Sequence, residues 1–469
     1  MDKASFSKIS EDELQQQLRL EIAIELFRSN QENYGNIDAP TKEGLVALAK
    51  LGKDVWNTWR TTYKEPKVDF DGFNFKDDPI DFSGFIFPSS GYLNDPCASF
   101  KGCTFGDYSK FMGARFEDYA NFSQTKFGLF TEFSDTHFKR EANFSKSYFA
   151  ACSSFYRSEF GHRATFDESV FEESIIFKGA TFKPGASFMK AEFLGRADFS
   201  AGTNVTGDSE LNFFDSIYFN GTKFHGEAIF IDRAFKSTTD FGPLYPWHLA
   251  PTAEKQNFHY PLITTEFRKA PHFHGCQFHQ DTCFDKANFL APPSPKAARA
   301  YRTLKQAMEQ LKATREEQKF FRLEMKAEHP SLPFGKRWIS TIYSLFSDYG
   351  FSLWRPMTWL FTLSLLFGIL YGVLANACAS DANCAKIAWA ANTGSTTDRT
   401  SAVIKYTLAS VSPVPGLDRM QTELRPPLFG HHGWIPITAL VLEILHKIVA
   451  LVMAFLFALA LRNLFKMKS

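Results

Sequence analysis

The sequence predicts a β-solenoid framed by α-helices and followed by an α-helical membrane domain. Three observations predict it. Phenylalanine recurs in steps of five and six through the middle of the chain, a small residue stands two positions before most of these phenylalanines, and two long apolar stretches lie near the C-terminal end. The chain has 469 residues and 52 phenylalanines, against 15 tyrosines and 8 tryptophans. A core packed only for hydrophobicity does not favour one aromatic so strongly, so a repeat is the first expectation.

The beat is regular over Phe100, Phe105, Phe111, Phe116, Phe122, Phe127, Phe133, Phe138, Phe144, Phe149, Phe155 and Phe160, and continues to Phe199. It returns at Phe213–Phe241 and again from Phe267 to Phe289, after a ragged start at Phe70, Phe75, Phe82 and Phe87. Neither step matches the 3.6 period of a helix or the alternation of a strand, so the chain is expected to turn a corner after every unit. Two residues before the rings stand Ala98, Cys103, Ser109, Ala114, Ala120, Thr125, Thr131, Thr136 and Ala142. Side chains two apart on an extended segment share a face. The ring and the small residue are therefore expected inside, with Asn121, Asn143 and Asp198, just before their rings, facing water.

Ala120-Asn121-Phe122-Ser123 and Ala197-Asp198-Phe199-Ser200 resemble the pentapeptide-repeat family in its Phe-centred form. The resemblance implies a right-handed quadrilateral β-helix with four repeats, or about 22 residues, per coil. Residues 66–290 would then form roughly ten coils, about 45 Å long, with rings stacked in ladders along the axis. The sixth residue in alternate units departs from the simplest pattern and should swell alternate corners. Two insertions, at 200–212 and 242–266, are expected to loop out from one face, either as binding elements or as decoration.

A solenoid must close its exposed edges. Residues 1–65 are expected to form an N-terminal helical cap. Ser10 precedes the acidic first turn Glu11-Asp12-Glu13, Leu14, Leu18, Ile22 and Leu26 follow at helical spacing, and a second helix is expected over 41–59. This cap would alternatively be a partner-binding helix. After Ala291-Pro292-Pro293-Ser294-Pro295, residues 291–335 are expected as a helical connector, with a break near Ala313-Thr314-Arg315.

Residues 336–469 read as a membrane domain: an interfacial helix at 336–347, a first span at 356–377, an extracytoplasmic loop with a re-entrant segment at 378–433, and a second span at 434–462. Lys336, Arg337 and Arg355 precede the first span, and Arg462, Lys466 and Lys468 follow the second. The positive-inside rule then places both ends in the cytoplasm, and the family resemblance implies a bacterial inner membrane. No export signal precedes the first span, which supports the same orientation. Cys378 and Cys384, just beyond the first span, are suited to a disulfide in an oxidising compartment. Asp348-Tyr349-Gly350 before the first span and Arg462-Asn463 at the end of the second resemble the C-terminal module of bacterial pentapeptide-repeat membrane proteins. Glu443, His446 and Lys447 interrupt the second span. They are read either as pore or interface residues, or as the edge of the bilayer with Lys447 reaching outward.

No phosphate-binding, dinucleotide-binding, metalloprotease or hydrolase motif stands in a fitting context. His272, His274, Cys276, His279 and Cys283 are dense, but their histidines fall on successive faces, so zinc is not expected and no cofactor is called for. Net charge of +1 gives no reason to expect nucleic acid as a partner. The sequence therefore predicts a non-enzymatic, membrane-anchored scaffold whose cytoplasmic solenoid binds an unidentified protein, with membrane lipid as its other contact. The alternative is a homo-oligomeric two-span ion channel gated by that domain. A DNA-mimic that binds a topoisomerase is a third, minor reading.

Overall fold

The computed structural model describes residues 11–63, 67–89, 96–202, 213–244, 262–380, 396–411, 417–431 and 433–466. It divides into two units, Met1–Glu328 and His329–Ser469.

The first unit opens with four helices: α1 (Glu11–Ser29), the single-turn α2 (Gln31–Tyr34), α3 (Lys42–Lys50) and α4 (Lys53–Thr62). Thr41 caps α3, its hydroxyl accepting from the Gly44 amide at 3.1 Å. The single helix expected over 41–59 is two helices, because Gly52 at φ +92° takes a conformation that a helix interior does not allow. Leu14, Leu18 and Ile22 lie exposed, whereas Ala23 and Phe27 are buried.

The middle of the unit is a β-solenoid with four parallel faces. Two-residue strands pair with the strand one coil away, in a register of 22 in the regular part: Phe127 opposite Phe149, Phe149 opposite Phe171, Phe171 opposite Phe193. All twelve core phenylalanines from Phe100 to Phe160 are at most 3% exposed. They stack in four ladders at close to the spacing of paired strands, from 4.5 Å for Phe111–Phe133 to 5.3 Å for Phe105–Phe127. Neighbouring ladders meet edge to face, as in Phe122–Phe133 at 5.7 Å and 89°. Each ring therefore makes both favourable aromatic geometries, in addition to about 1.5–3 kcal/mol from burial.

The small inward residues do more than leave room. Several carry a hydroxyl that donates to the carbonyl of a phenylalanine one coil earlier: Thr125 to Phe100 at 2.7 Å, Ser147 to Phe122 at 2.7 Å, Ser169 to Phe144 at 2.6 Å. Cys103 makes the same contact to Phe70 at 3.0 Å. Thr131 and Ser153 instead donate three residues back, to the carbonyls of Gly128 and Ala150. Corners turn on left-handed residues. In the five-residue units these stand two after the ring, as at Gly102, Gln124, Lys146 and Glu168.

One ladder is broken. Phe182 and Phe214 meet at 65°, and Phe214 and Phe235 at 59°. Beside the break, Arg233 occupies the small-residue position and is fully buried. Its Nε donates to the Phe199 carbonyl at 2.6 Å, as a hydroxyl would, and its guanidinium lies 4.5 Å from the Phe214 ring centre. Most of the two insertions, residues 203–212 and 245–261, lies outside the described residues.

Both edges are closed by helices. At the N-terminal edge Trp56 of α4 packs on Phe85 at 5.3 Å and Phe87 at 5.6 Å. Asn57 accepts from the Ile86 amide at 2.8 Å and donates to the Gly84 carbonyl at 3.1 Å, so it supplies the hydrogen bonds of a missing strand. At the other edge α5 (Pro295–Gln310) and α6 (Thr314–Glu328) form a hairpin. Phe320 of α6 stands edge-on to Phe284 at 5.5 Å and Phe289 at 5.2 Å. Lys319 donates to the carbonyls of Phe284 at 3.0 Å and Ala287 at 2.8 Å, and burial lowers its pKa. The segment expected as a connector thus also caps the solenoid.

The second unit is helical: α7 (Phe334–Ser347), α8 (Trp354–Ser380), α9 (Thr396–Val411), α10 (Leu417–Phe429) and α11 (Trp434–Lys466). Helices α8 and α11 are long and apolar enough to cross a membrane, with only 11% and 28% of their most apolar windows buried.

Candidate functional site

The second unit inverts the usual order of a water-soluble core. Phe361, Ile369, Val373, Ile444, Leu451 and Phe455 are exposed on α8 and α11, while Glu443 and His446 are buried. A helix in hydrocarbon must turn its polar groups toward protein. The sequence meets this demand with partners from separate helices.

Glu443 of α11 is held on both oxygens. Oε2 accepts from the Tyr406 hydroxyl of α9 at 2.7 Å, and Oε1 accepts from Lys447 Nζ, one turn on, at 3.0 Å. The Lys447 side chain stays 42% exposed against 12% for Glu443. The pair is therefore charge-neutral, with its acid inside and its base at the edge. His446 faces α8: its ring lies flat on Phe367 at 4.4 Å, and Nε2 is 3.2 Å from the Ser364 hydroxyl. Tyr371 and Tyr406 cross edge to face at 5.0 Å between the two groups. Below them Gln421 of α10 donates to the Ser410 hydroxyl at 2.5 Å. These side chains satisfy one another's polar atoms, so that an ion pair and an imidazole can sit among apolar helices.

Asp348-Tyr349-Gly350 and Asn463, far apart in sequence, meet. Asn463 Nδ2 donates to the Gly350 carbonyl at 3.2 Å, and a Cβ on Gly350 would come within 2.9 Å of that Nδ2. Gly350 also has φ +84°, so backbone and space both require glycine. Helix α7 exposes Phe334, Trp338, Ile339, Ile342 and Leu345. Cys378 is buried and disulfide-bonded, and Cys384 lies outside the described residues.

Of the dense His/Cys segment, Cys276 donates its thiol to the Phe230 carbonyl at 2.7 Å and His279 pairs with Asp281 at 3.4 Å. Burial raises the thiols of Cys97, Cys103 and Cys276 to about 12. No group of three metal-capable side chains converges among the described residues.

The solenoid carries a surface feature that spacing alone did not mark. Tyr108 and Phe130 occupy left-handed corners at φ 60° and 56°, stand 66% and 46% exposed, and stack on each other at 5.1 Å and 8°. Met112 and Leu129, also exposed, are their close neighbours in sequence. The other left-handed corners of the solenoid carry glycine, polar or charged residues, or Cys152. The available signal was an aromatic three positions after a core ring in a six-residue unit.

Comparison with family models matches residues 100–147 and 155–203 to pentapeptide repeats, in nine copies. No curated protein and no solved structure matches the chain.

Proposed function

We propose that this chain, which carries pentapeptide repeats over residues 100–147 and 155–203 and two membrane-span-like helices, is a membrane-anchored scaffold whose solenoid docks a protein partner. The observation that carries this reading is the exposed Tyr108–Phe130 stack. Bulky residues at positive φ are disfavoured, and exposed aromatics add no core burial. Such an outlier, rich in the side chains that dominate binding hot spots, is the mark of a contact surface. Residues 336–469 serve as the anchor in this reading. Helix α7 lies in the interface on its Trp338–Ile342 face, the solenoid is cytoplasmic, Cys378 bonds Cys384 on the opposite side, and the membrane is the bacterial inner one.

The test is in-cell photo-crosslinking from position 112 of the full chain. A discrete adduct, lost when Tyr108→Asn and Phe130→Asn are combined, supports docking. An adduct pattern untouched by the pair sinks this surface as the site.

A second reading draws on α9, which packs against both spans and gives Tyr406 to Glu443. In a homo-oligomeric channel Glu443, His446 and Lys447 would line a pore or a subunit interface. Ion flux through liposomes holding the purified chain, lost on Lys447→Met, would favour that reading. Tight liposomes favour the scaffold.

A further inference from the structure

Beside its packed polar interior, the second unit leaves a large space open among the described residues. Helices α8 and α9 bound a groove of about 600 Å³, walled by Phe361, Leu365, Gly368, Gly372, Val403 and Leu408. That volume lies within the range of small-molecule sites, roughly 300–1,000 Å³. A Cβ on Gly372 would meet nothing within 4 Å, so this glycine is not needed for packing and keeps the groove open. Its walls are mostly apolar, and Asn376 and Arg399 complete the lining.

Arg399 is the informative residue. Its guanidinium donates to Asn376 Oδ1 at 3.4 Å, a long bond to a neutral acceptor, and no carboxylate among the described residues pairs with it. Asn376 stands near the last turn of α8, at the headgroup end of an apolar span. The span over 356–377 has its middle near Phe367, so the groove runs through both halves of it, and the half from Gly368 to Asn376 rises about 12 Å at 1.5 Å per residue. Half of the hydrocarbon core is about 15 Å. This half of the groove therefore has nearly the depth of one leaflet's hydrocarbon, an apolar wall, and at its outer end a cation with no carboxylate partner among the described residues.

We propose that this groove binds one membrane glycerophospholipid, its phosphate on Arg399 and an acyl chain along Gly372 and Gly368 toward Phe361. A phosphate offers the guanidinium the charged, forked acceptor that Asn376 does not. A span from a second copy could approach the same small residues, but would leave Arg399 without an anion. The inference rests on α8 and α11 being membrane spans.

The experiment is native mass spectrometry of the full chain, extracted in detergent and exchanged into phosphatidylglycerol micelles. One phospholipid retained per chain is expected, lost in Gly372→Leu and reduced about tenfold in Arg399→Gln, with the oligomeric mass unchanged. Retention equal in wild type and both variants overturns the proposal. So does a Gly372→Leu chain that changes oligomeric mass with no lipid involved, or adducts of inorganic phosphate alone. A chain recovered without detergent would overturn the membrane reading itself. A chain that needs detergent yet retains no lipid overturns only the groove.

Discussion

The solenoid and the membrane-span unit solve the same problem in opposite directions. In the solenoid the apolar rings are inside and the charges outside: Phe144 and Phe155 are fully buried, while pairs such as Arg157–Asp135 lie on the surface at 3.2 Å. In the second unit Phe361 and Leu451 face outward, and Glu443 and His446 lie inside. Both interiors still satisfy their polar groups. The solenoid does so with hydroxyls donating to ring-residue carbonyls, and the second unit with tyrosine, lysine and serine around one acid and one imidazole. The difference teaches that the rule held constant is the pairing of buried polar groups, not the placing of hydrophobic residues inside.

The largest effect should come from emptying a ladder. Phe155→Ala removes a ring that stacks on Phe133 at 4.8 Å and on Phe177 at 5.0 Å. The loss should be about 3–5 kcal/mol, read as a lowered denaturation midpoint of the solenoid. A cost near 1 kcal/mol would mean that the coils close over the gap. Next comes the inverted interior. Glu443→Leu strips the Tyr406 hydroxyl of its acceptor and Lys447 of its ion pair, at about 1–3 kcal/mol. Glu443→Gln keeps an acceptor for Tyr406 and should cost less. Thermal melts in micelles rank the two, and equal melts would show that the carboxylate charge contributes nothing.

The regions also differ in how far sequence reveals them. The ladders were legible because their contacts repeat: Phe122 touches Phe144 for the same reason that Phe144 touches Phe166, and periodicity records that reason. Glu443, His446 and Lys447 were legible as polar breaks in an apolar span, and the first and last, one turn apart, form an ion pair. Tyr406 was not, since it reaches Glu443 across 37 residues and a single contact leaves no period. The hydroxyl bonds at the corners were half-legible. Size predicted Thr125 and Thr136 inside, but their acceptors lie 25 residues back, across a coil whose geometry sequence does not display. Asn57 and Lys319, which finish the two edges, were invisible for the same reason.

Arg233 breaks the comparison from within, as a buried cation where the solenoid elsewhere keeps small residues. Burial above all lowers its pKa from the usual guanidinium range to about 9. Below about pH 9 the folded chain carries the full cost of this charge. Above about pH 9 the unfolded chain still binds the proton that the folded one releases, so this group makes stability rise with pH there. Arg233→Met should therefore leave stability within about 1 kcal/mol at pH 7 and remove the alkaline rise. Denaturation midpoints taken at pH 7 and 10 test both statements. A loss of several kcal/mol in Arg233→Met would mean that its bonds to Phe199 and Ser200 outweigh the burial of the charge.

The smallest effect separates space from hydrogen bonding at the corners. Ser158 Oγ donates to the Phe133 carbonyl at 2.7 Å, and that carbonyl also accepts from the Thr136 amide at 3.2 Å. Ser158→Ala keeps the small volume and leaves the carbonyl one partner, so the cost should be about 0.5–1.5 kcal/mol. Ser158→Val keeps no donor and adds bulk, and should cost more through overpacking. The equivalent position in other units already holds alanine, as at Ala114, Ala142 and Ala164, all fully buried. If Ser158→Ala costs nothing, the position is set by size alone and the hydroxyls are passengers. If it costs as much as Ser158→Val, the hydrogen bond decides, and the alanine-bearing corners are the weak points of the coil. Hydrogen exchange at the Thr136 and Ser158 amides would locate the loss, because a corner that opens should lose protection there before the neighbouring ladders do.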